Sequence, residues 1–453
     1  MNDFNYYHVD PATTRGDATG RYPHNYVKFP WFLKPVEWWA SMSRALTGRT
    51  AYLLKDSLLK AFDSVDAPAG RWGTAEELGV LRQCIEIASR NFDGNPYISP
   101  IGRVVIKIMV SEPIKNRAET IKFYEANRDF IESNGRYQAP VLVVGAARTG
   151  TTLLHRLLSE DPNTRSPYDY ELVYCTPPLR TGMDPLRDPR VKRRLSDLAM
   201  GAKIVPGYAE KIAESHPFGA TEKEESLSMV AIHNGLFFLF SLAAGREYVR
   251  SLAQPGMGDA LLRYERNLFT MLDAYCPAKS HWTQKSPVYA YRFGDIFTHY
   301  PDARVIVTHR DPVNNLASGC RLFETFSLPF DVEGSLDKLR FGSLVQELWS
   351  ASWSVPLEFR RANPQYEPQI IDCMYPDLVR DPIGMVKNIY RKFGLDYTQE
   401  FEDRMKLALA NNPQGKRGRH QYTSQEYGID PDSLYEQNRA YFDHYGFKPV
   451  LPQ

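Results

Sequence analysis

The sequence of 453 residues has no excess of charge of either sign: 55 Lys and Arg stand against 54 Asp and Glu, and the formal net charge is +1. A chain without a global basic excess is not built to bind duplex nucleic acid or an anionic membrane as its main partner. Any anion that it binds must therefore be met by a local basic cluster. With 43% hydrophobic residues the chain can bury a sizeable core, which excludes an intrinsically disordered protein.

Cysteine is scarce and never closely spaced. The five cysteines are scattered along the chain, an odd number, and none belongs to a C-x-x-C pair. This usage predicts reduced thiols in a cytoplasmic protein and argues against a zinc site, so no metal is expected. The five are Cys84, Cys175, Cys276, Cys320 and Cys373.

Long apolar runs are absent as well. The first residues, MNDFNYYHVDPATTRGD, lack the basic and apolar regions of a secretory signal peptide. The most apolar window, residues 227–244, is interrupted by His233, Asn234 and Gly235 among others, and is too polar for a transmembrane helix. We therefore expect a buried core helix there, no membrane span, and a soluble protein.

The N-terminal part of the chain has helical periodicity. After an irregular arm of about 25 residues, apolar residues recur at helical spacing from Trp38 to Phe62, with an interruption near Gly48. Thr74 and Glu77 form the Thr-x-x-Glu pattern of a capping box, which predicts a helix that runs to about residue 89.

Two more helices are expected before the first strand, at residues 101–110 and 113–133. No strand-like alternation precedes residue 140. We therefore expect residues 1–135 to form a helical extension or lid that packs on a catalytic domain of residues 136–453.

Short runs rich in β-branched residues begin at residue 140. Residues 140–144, Pro-Val-Leu-Val-Val, have the composition of a fully buried parallel strand. Further runs at 303–310 and 369–375 each lead into a helical pattern. Strands that alternate with helices predict an α/β fold with a parallel sheet flanked by helices.

A phosphate loop follows the first of these strands. Gly145-x4-Gly150-Thr151-Thr152 has the spacing of a Walker A motif, but a threonine stands at the lysine position and no Walker B aspartate is found. Arg148 supplies a positive charge within the loop instead. Backbone N–H groups of residues 148–152, at a helix N-terminus, predict an anion cradle. A glycine turn that merely joins strand to helix is the plainer alternative. The predicted contacts are Arg148, Thr149, Gly150, Thr151 and Thr152.

Three more basic sites lie downstream. Arg310 closes the strand at 303–310, where open α/β sheets bind ligands, and Ser318 follows eight residues later. Lys285 in Lys-Ser-Pro is a candidate to bring an ammonium to the same crevice. A basic loop at about 413–424 contributes Lys416, Arg417 and Arg419. Each of these lysines and arginines, taken alone, is more often explained by a surface ion pair.

Taken in order, these motifs resemble the sulfotransferases that use 3′-phosphoadenosine 5′-phosphosulfate (PAPS), in their bacterial-type branch. The similar segments are Arg-Thr-Gly-Thr-Thr-Leu-Leu-His-Arg-Leu-Leu at 148–158, Lys-Ser-Pro at 285–287, Thr-His-Arg-Asp-Pro at 308–312 and Tyr-x-Asp-Leu-Val-x-Asp-Pro at 375–382. The resemblance covers roughly residues 140–430. It implies a P-loop-kinase-like fold and transfer of the sulfuryl group of PAPS to a hydroxyl or amine, leaving adenosine 3′,5′-bisphosphate.

The resemblance also implies roles for the basic residues. Arg148 and the loop amides would hold the 5′-phosphate, and Arg310 with Ser318 the 3′-phosphate. The basic loop would fold over that 3′-phosphate, with the contacting residue left open. Lys285 is the candidate for the bridging oxygen or the sulfuryl group. Sulfuryl transfer does not require Mg²⁺, in agreement with the missing Walker lysine and aspartate.

A general base for the acceptor is expected in the segment from His216 to Glu225. His216 suits proton abstraction near neutral pH, and Glu222, Glu224 or Glu225 would suit it after desolvation. A packing or capping histidine and a solvated first helical turn are the alternatives. The choice between histidine and carboxylate stays open in the sequence.

Two other functions remain as alternatives: an atypical P-loop kinase or nucleotide hydrolase, and a non-catalytic nucleotide-binding scaffold. The acceptor is expected to be a small molecule or a carbohydrate, and no nucleic acid is expected as partner. The sequence leaves a homodimer open.

Overall fold

Five parallel strands form one sheet at the centre of the molecule. The strands are β1 Val141–Val144, β2 Thr164–Arg165, β3 His281–Lys285, β4 Arg304–His309 and β5 Ile370–Met374. Their order across the sheet is β2-β3-β1-β4-β5. In this register Val143 of β1 lies opposite Lys285 on one side and Ile306 on the other. The ends of β1, β3 and β4 therefore reach the same carboxyl edge of the sheet, which confirms the predicted fold class.

The computed structural model describes residues 29–47, 52–68, 70–95, 98–215, 219–236, 244–329, 336–411 and 424–449. The α-helices found there are α1 Lys34–Thr47, α2 Lys55–Asp63, α3 Ala75–Gly94, α4 Pro100–Ala126, α5 Arg128–Asn134, α6 Thr151–Leu158, α7 Asp169–Val173, α8 Pro189–Ile204, α9 Tyr208–Ser215, α10 Ser226–His233, α11 Gly245–Ser251, α12 Met257–Tyr275, α13 Val288–Tyr291, α14 Phe293–His299, α15 Pro312–Ser327, α16 Lys338–Ala362, α17 Tyr375–Arg380, α18 Pro382–Phe393, α19 Gln399–Asn411 and α20 Pro431–Tyr445. No helix within these ranges is both long enough and apolar enough to cross a bilayer.

Helices cover both faces of the sheet. Successive strand residues point to opposite faces, so Leu142 and Val144 belong to one core and Val141 and Val143 to another. The first core is shared with helices such as α10 and α12, and the second with α6, α18 and α19. All four residues of β1 are buried, which explains why the strand is apolar throughout.

The region before β1 is helical, as predicted. Thr74 and Glu77 close a capping box at the start of α3. Two helices were expected here, with a break between residues 110 and 113. The structure has the break later, because α4 continues through Pro113 to Ala126 before α5 begins. Helices α2 to α5 share one hydrophobic core with α12. The domain boundary near residue 135 stays a prediction.

Helix α1 departs from the expected packing. Its buried and half-buried positions are Leu33, just before it, and then Val36, Ala40 and Ser43, whereas Trp38 and Trp39 are exposed. The periodicity of the sequence therefore predicted the helix but not the side that packs on the protein.

The ends of the later elements agree closely with the sequence. Asp311 caps α15 by accepting a hydrogen bond from the amide of Asn314, and Pro312 is its first residue. In the apolar window at 227–244, α10 ends at His233 and residues 237–243 lie outside the described part. The strands β2 and β3 were missed, because the polar runs at 164–165 and 281–285 lack a β-branched pattern.

Candidate active site at the carboxyl edge of the sheet

The phosphate loop joins β1 to α6 through backbone conformations in the left-handed region. Arg148 has φ 72° and Gly150, the N-cap of α6, has φ 94°. Helix α6 then begins with Thr151 and Thr152. Free N–H groups at a helix N-terminus favour an anion, and a left-handed residue in the preceding turn makes a concave set of amides. The local geometry thus has the features of an anion cradle.

Tyr375, the first residue of α17, packs beneath this loop. A Cβ placed on Gly150 would lie 2.9 Å from Cδ2 of Tyr375 and 3.1 Å from Cδ2 of Leu378. The guanidinium carbon of Arg310 lies 4.7 Å from the centre of the same tyrosine ring. The ring therefore fixes the start of α6 and supports Arg310 by a cation–π contact.

Arg148, Arg310 and Ser318 form one cluster. Nη1 of Arg310 donates to the carbonyl oxygen of Arg148 over 3.1 Å, and Nε of Arg148 donates to Oγ of Ser318 over 3.0 Å. The two anion sites predicted from separate parts of the sequence are therefore adjacent in space. Ser318 lies in the second turn of α15, where its hydroxyl faces the loop.

The loop is held from below by uncharged side chains. Oγ1 of Thr149 donates to the carbonyl oxygen of Ala146 over 2.7 Å and lies 2.6 Å from Oγ1 of Thr308 on β4. Nδ2 of Asn315 donates to the carbonyl oxygen of Ala147 over 2.7 Å. Thr149 is thus buried, and its hydroxyl bonds within the loop and to β4 and does not face the solvent.

Lys285 ends β3 next to the loop and is almost completely buried, with 1% of its side chain exposed. Its Nζ donates to Oε1 of Glu225 over 2.7 Å. Oε2 of Glu225 accepts from Oγ of Ser228 over 2.7 Å, and Ser228 in turn lies 2.9 Å from the hydroxyl of Ser286. A buried ammonium and a carboxylate are thereby held together with satisfied hydrogen bonds.

The other carboxylates of this segment have different partners. Glu222 pairs with Arg156 of α6 at 2.6 Å. Oε1 of Glu224 accepts from the amide of Glu225 over 2.8 Å. Glu225 is the member of the predicted group that contacts Lys285. The candidate base His216 lies outside the described residues, as do Lys416, Arg417 and Arg419 of the basic loop.

Two histidines near the loop are buried and hydrogen-bonded. Nε2 of His155 lies 3.4 Å from the carbonyl oxygen of Thr283, and burial, with the Lys285 ammonium as a second cause, lowers the pKa of His155 to about 3. His309 contacts Asp372 at 2.8 Å through Nε2, and burial lowers the pKa of His309 although Asp372 opposes the shift. Both rings are neutral near neutral pH.

A buried carboxyl group lies on the other side of β3. Glu265 is fully buried, and it accepts hydrogen bonds from Tyr289 over 2.8 Å and from Tyr300 over 3.0 Å. Gln284 of β3 donates to the same Tyr289 hydroxyl over 3.4 Å. Burial raises the pKa of Glu265 to about 7. This network packs beneath the strand that ends in Lys285.

Sequence reasoning missed the contributions of Tyr375, Asn315, Thr308 and Ser228. Tyr375 begins the motif at 375–382, but no contact was predicted for its ring, which supports Arg310. The available signal was its position at the carboxyl end of β5, the edge at which the other site residues were expected. No group of three metal-ligating side chains occurs in the part of the chain that the structure describes.

Residues 140–399 match the model of a family described as Sulfotransferase family. The matched segment is more than half of the chain. The chain belongs to the sulfotransferase family. Its residues 140–399 contain the phosphate loop, Glu225, Lys285, Arg310, Ser318 and Tyr375.

Among its relatives is the omega-hydroxy-beta-dihydromenaquinone-9 sulfotransferase Stf3 of Mycobacterium bovis. The two are 23% identical over 317 residues, which span 69% of this sulfotransferase and 76% of Stf3. The protein of the same name from Mycobacterium tuberculosis gives the same values.

Two solved structures share the fold. Sulfotransferase STF9 from Mycobacterium avium has a TM-score of 0.74 at 22% identity, over 87% of this chain and 97% of STF9. Sulfotransferase STF1 from Mycobacterium tuberculosis has a TM-score of 0.66 at 22% identity, over 90% of this chain and 98% of STF1. At this coverage the likeness extends beyond the sheet into the helical region that precedes it.

Proposed function

We propose that this sulfotransferase takes its sulfuryl group from PAPS and transfers it to a hydroxyl group of a small apolar molecule. The observation that carries the donor is the cluster of Arg148, Arg310 and Ser318 beside the phosphate loop. A nucleotide with one phosphate chain needs only the loop. A second cationic site next to it fits a donor with a separate 3′-phosphate.

In this proposal the loop amides and the hydroxyls of Thr151 and Thr152 bind the 5′-phosphate. Arg310 and Ser318 bind the 3′-phosphate by charge-assisted and neutral hydrogen bonds. Arg148 lies between the two groups, since its backbone belongs to the loop and its Nε reaches Ser318. Its positive charge therefore attracts both the 5′-phosphate and the 3′-phosphate.

The transfer itself is a displacement at sulfur. The bond from sulfur to the 5′-phosphate oxygen breaks as a bond from sulfur to the acceptor oxygen forms, and the acceptor proton goes to a base. Lys285 is placed to stabilise the charge that develops on the leaving oxygen or the sulfuryl group. Glu225, 2.7 Å from Lys285, is our choice of base among the described residues.

The pairing of Lys285 with Glu225 supports these roles. Removal of either charge from water is costly. Proteins in which a buried salt bridge is replaced by well-packed apolar residues are often as stable as before, or more stable. A buried pair at the mouth of an anion cradle is therefore better explained by chemistry than by stability. Its position at the end of β3, level with Val143 of β1, puts both groups beside the loop.

The acceptor is proposed from the relative and not from the site. Stf3 is named for a hydroxylated dihydromenaquinone, so a hydroxyl on a small apolar molecule is the acceptor class that we favour over an amine or a carbohydrate. All three classes enter the test below.

The donor is tested by thermal stabilisation of the full chain. Adenosine 3′,5′-bisphosphate in the presence of EDTA should raise the melting temperature, whereas adenosine 5′-monophosphate should raise it less. Stabilisation by Mg-ATP alone would contradict the proposal and favour a kinase or nucleotide hydrolase.

The transfer is tested with ³⁵S-labelled PAPS and three acceptor panels: hydroxylated isoprenoid quinones and other apolar alcohols, aryl and alkyl amines, and sugars. Label should appear in the alcohol panel, and its rate of transfer should fall about a hundredfold or more with Lys285→Met. Label confined to amines or sugars would overturn the acceptor class and leave the donor intact. Nucleotide binding with no transfer to any panel would favour the scaffold alternative.

A further inference from the structure

The N-terminal helix α1 exposes its largest apolar side chains. Trp38 is 66% exposed and Leu46 is 77% exposed, and the short 3-10 helix before α1 exposes 80% of Trp31. Isolated exposed apolar residues are normal on a protein surface, but a contiguous group marks a site of interaction. The complete group is Trp31, Phe32, Trp38, Trp39, Met42 and Leu46, which we call the α1 stripe.

The stripe follows from the helical geometry. Trp38, Trp39, Met42 and Leu46 are spaced i, i+1, i+4 and i+8, so they lie along one side of α1. The helix packs on the protein, including α4, through a different side that carries Val36, Ala40 and Ser43. The small residues thus face the protein and the tryptophans face outward. In a helix that stabilises a core, the large apolar side chains face the protein instead.

Two features of α1 fit a phospholipid surface. Indole rings combine a large apolar area with an N–H donor, a composition that favours the boundary between acyl chains and headgroups. Beside the stripe lies a polar side with the exposed residues Lys34, Glu37 and Ser41. A helix with Trp and Leu on one side and polar or charged residues on another is typical of one that lies in a membrane interface.

The charge of this part of the sequence is complementary to anionic lipid. Residues 28–49 contain Lys28, Lys34, Arg44 and Arg49 against the one acid Glu37, in a chain whose formal charge is only +1. The neutral overall balance therefore conceals a basic segment that coincides with the exposed aromatics. Helix α4 next to α1 adds the exposed residues Lys107, Ile108 and Met109.

We propose that the α1 stripe docks the protein onto the surface of a phospholipid bilayer that contains anionic headgroups. The helix would lie in the plane of the interface with its tryptophans among the headgroups and upper acyl chains. This inference goes beyond the proposed function and does not rest on it, because neither the donor nor the acceptor enters the argument.

The test uses the full chain and phospholipid vesicles. Vesicles of phosphatidylcholine and phosphatidylglycerol should carry the protein upward in a flotation gradient, and pure phosphatidylcholine should carry much less, since surface charge contributes to the affinity. The double variant Trp38→Gln/Trp39→Gln and the variant Leu46→Gln should each lower the vesicle partition coefficient at least tenfold.

Matched controls are available on other helices. Leu339 and Leu407 are 59% and 62% exposed but lie on α16 and α19, so Leu339→Gln and Leu407→Gln should leave vesicle binding unchanged. The variants and controls should have the melting temperature of the unmodified chain, which shows that they fold.

Tryptophan fluorescence locates the contact. Of the seven tryptophans, Trp31, Trp38 and Trp39 are exposed, whereas Trp72, Trp282, Trp349 and Trp353 are at most 2% exposed. Lipid brominated in the upper acyl chain should therefore quench the exposed three, and the double variant should lose most of that quenching.

Two results would overturn the proposal. One is an unmodified chain that fails to bind the anionic vesicles, or variants that bind them as well as the controls do. The other is a dimer in light scattering that Trp38→Gln/Trp39→Gln converts to a monomer, which would assign the stripe to a second copy of the chain. Vesicle binding without transferase activity would leave the inference intact and contradict only the proposed function.

Discussion

Nε of Arg148 donates a hydrogen bond to Oγ of Ser318 over 3.0 Å, across 170 residues of sequence. The contact joins the phosphate loop after β1 to the second turn of α15 after β4. Because β1 and β4 are neighbours in the sheet, the two loops that follow them meet at one edge. The proposal of a donor with two separated phosphates depends on this adjacency.

Arg310 should distinguish nucleotides by their 3′-phosphate. Arg310→Ala is expected to weaken the binding of adenosine 3′,5′-bisphosphate about tenfold to a hundredfold, because a hydrogen bond to a charged group contributes about 1.5–3 kcal/mol. Adenosine 5′-phosphosulfate lacks that phosphate and should lose much less affinity. Titration calorimetry with both ligands measures the difference.

The control for this prediction is Arg380→Ala. Arg380 is an exposed arginine of the neighbouring helix α17 and pairs with Asp377. Its replacement should change neither affinity. Equal losses for the two ligands in Arg310→Ala would instead mean that Arg310 acts only by holding the carbonyl of Arg148.

Replacement of Lys285, alone or together with Glu225, should have different effects on catalysis and on stability. Lys285→Met is expected to lower kcat by about a hundredfold to a thousandfold, as loss of one transition-state donor does elsewhere. It should also lower the melting temperature, because it leaves Glu225 half-buried without its cation. The double variant Lys285→Met/Glu225→Gln should regain most of the melting temperature and none of the activity. Recovery of both would show a structural pair.

Gly150 should be irreplaceable for a steric reason. Gly150→Ala places a Cβ 2.9 Å from the Tyr375 ring at a residue with φ 94°, and should abolish stabilisation by adenosine 3′,5′-bisphosphate. Gly182→Ala is the matched control, since Gly182 has φ 84° and a Cβ placed on it would have no atom within 4 Å. Both carry a similar backbone cost of about 1–2 kcal/mol. Equal nucleotide responses of the two variants would refute the steric argument.

Glu265 should make stability depend on pH. Its pKa is raised to about 7 in the folded protein, above the ordinary value near 4.5, so the folded state binds the extra proton between these values. The protonated carboxyl therefore contributes on the order of 3 kcal/mol to the free energy of unfolding. This contribution is fully present below about pH 4.5 and is lost as pH rises through 7.

Glu265→Gln removes this titration. The melting temperature of the variant relative to the unmodified chain should therefore rise between pH 5 and pH 8. Glu358→Gln, at an exposed glutamate of α16, serves as control and should give a constant difference. A constant difference for Glu265→Gln as well would show that the buried carboxyl does not titrate in this range.

Much of the fold was predictable because local signals coincide with it. Residues 140–144 had the composition of a buried parallel strand, and the capping box at Thr74 and the Asp311-Pro312 start of α15 were found where expected. Strand β3 could not be found in this way. Its sequence His-Trp-Thr-Gln-Lys is polar, and two of its side chains have partners far along the chain: Gln284 accepts from the hydroxyl of Tyr137, and Lys285 donates to Glu225.

The sequence alone determined the chemistry that was available: a phosphate loop without its lysine, an arginine and a serine eight residues apart, and a lysine before Ser-Pro. The tertiary structure alone decided which of these groups meet. It joined Arg148 to Ser318, selected Glu225 over Glu222 as the partner of Lys285, and turned Trp38 outward. The physical reason is that local patterns set backbone conformation and apolar periodicity, whereas partners across the chain depend on strand order and on which side of a helix packs.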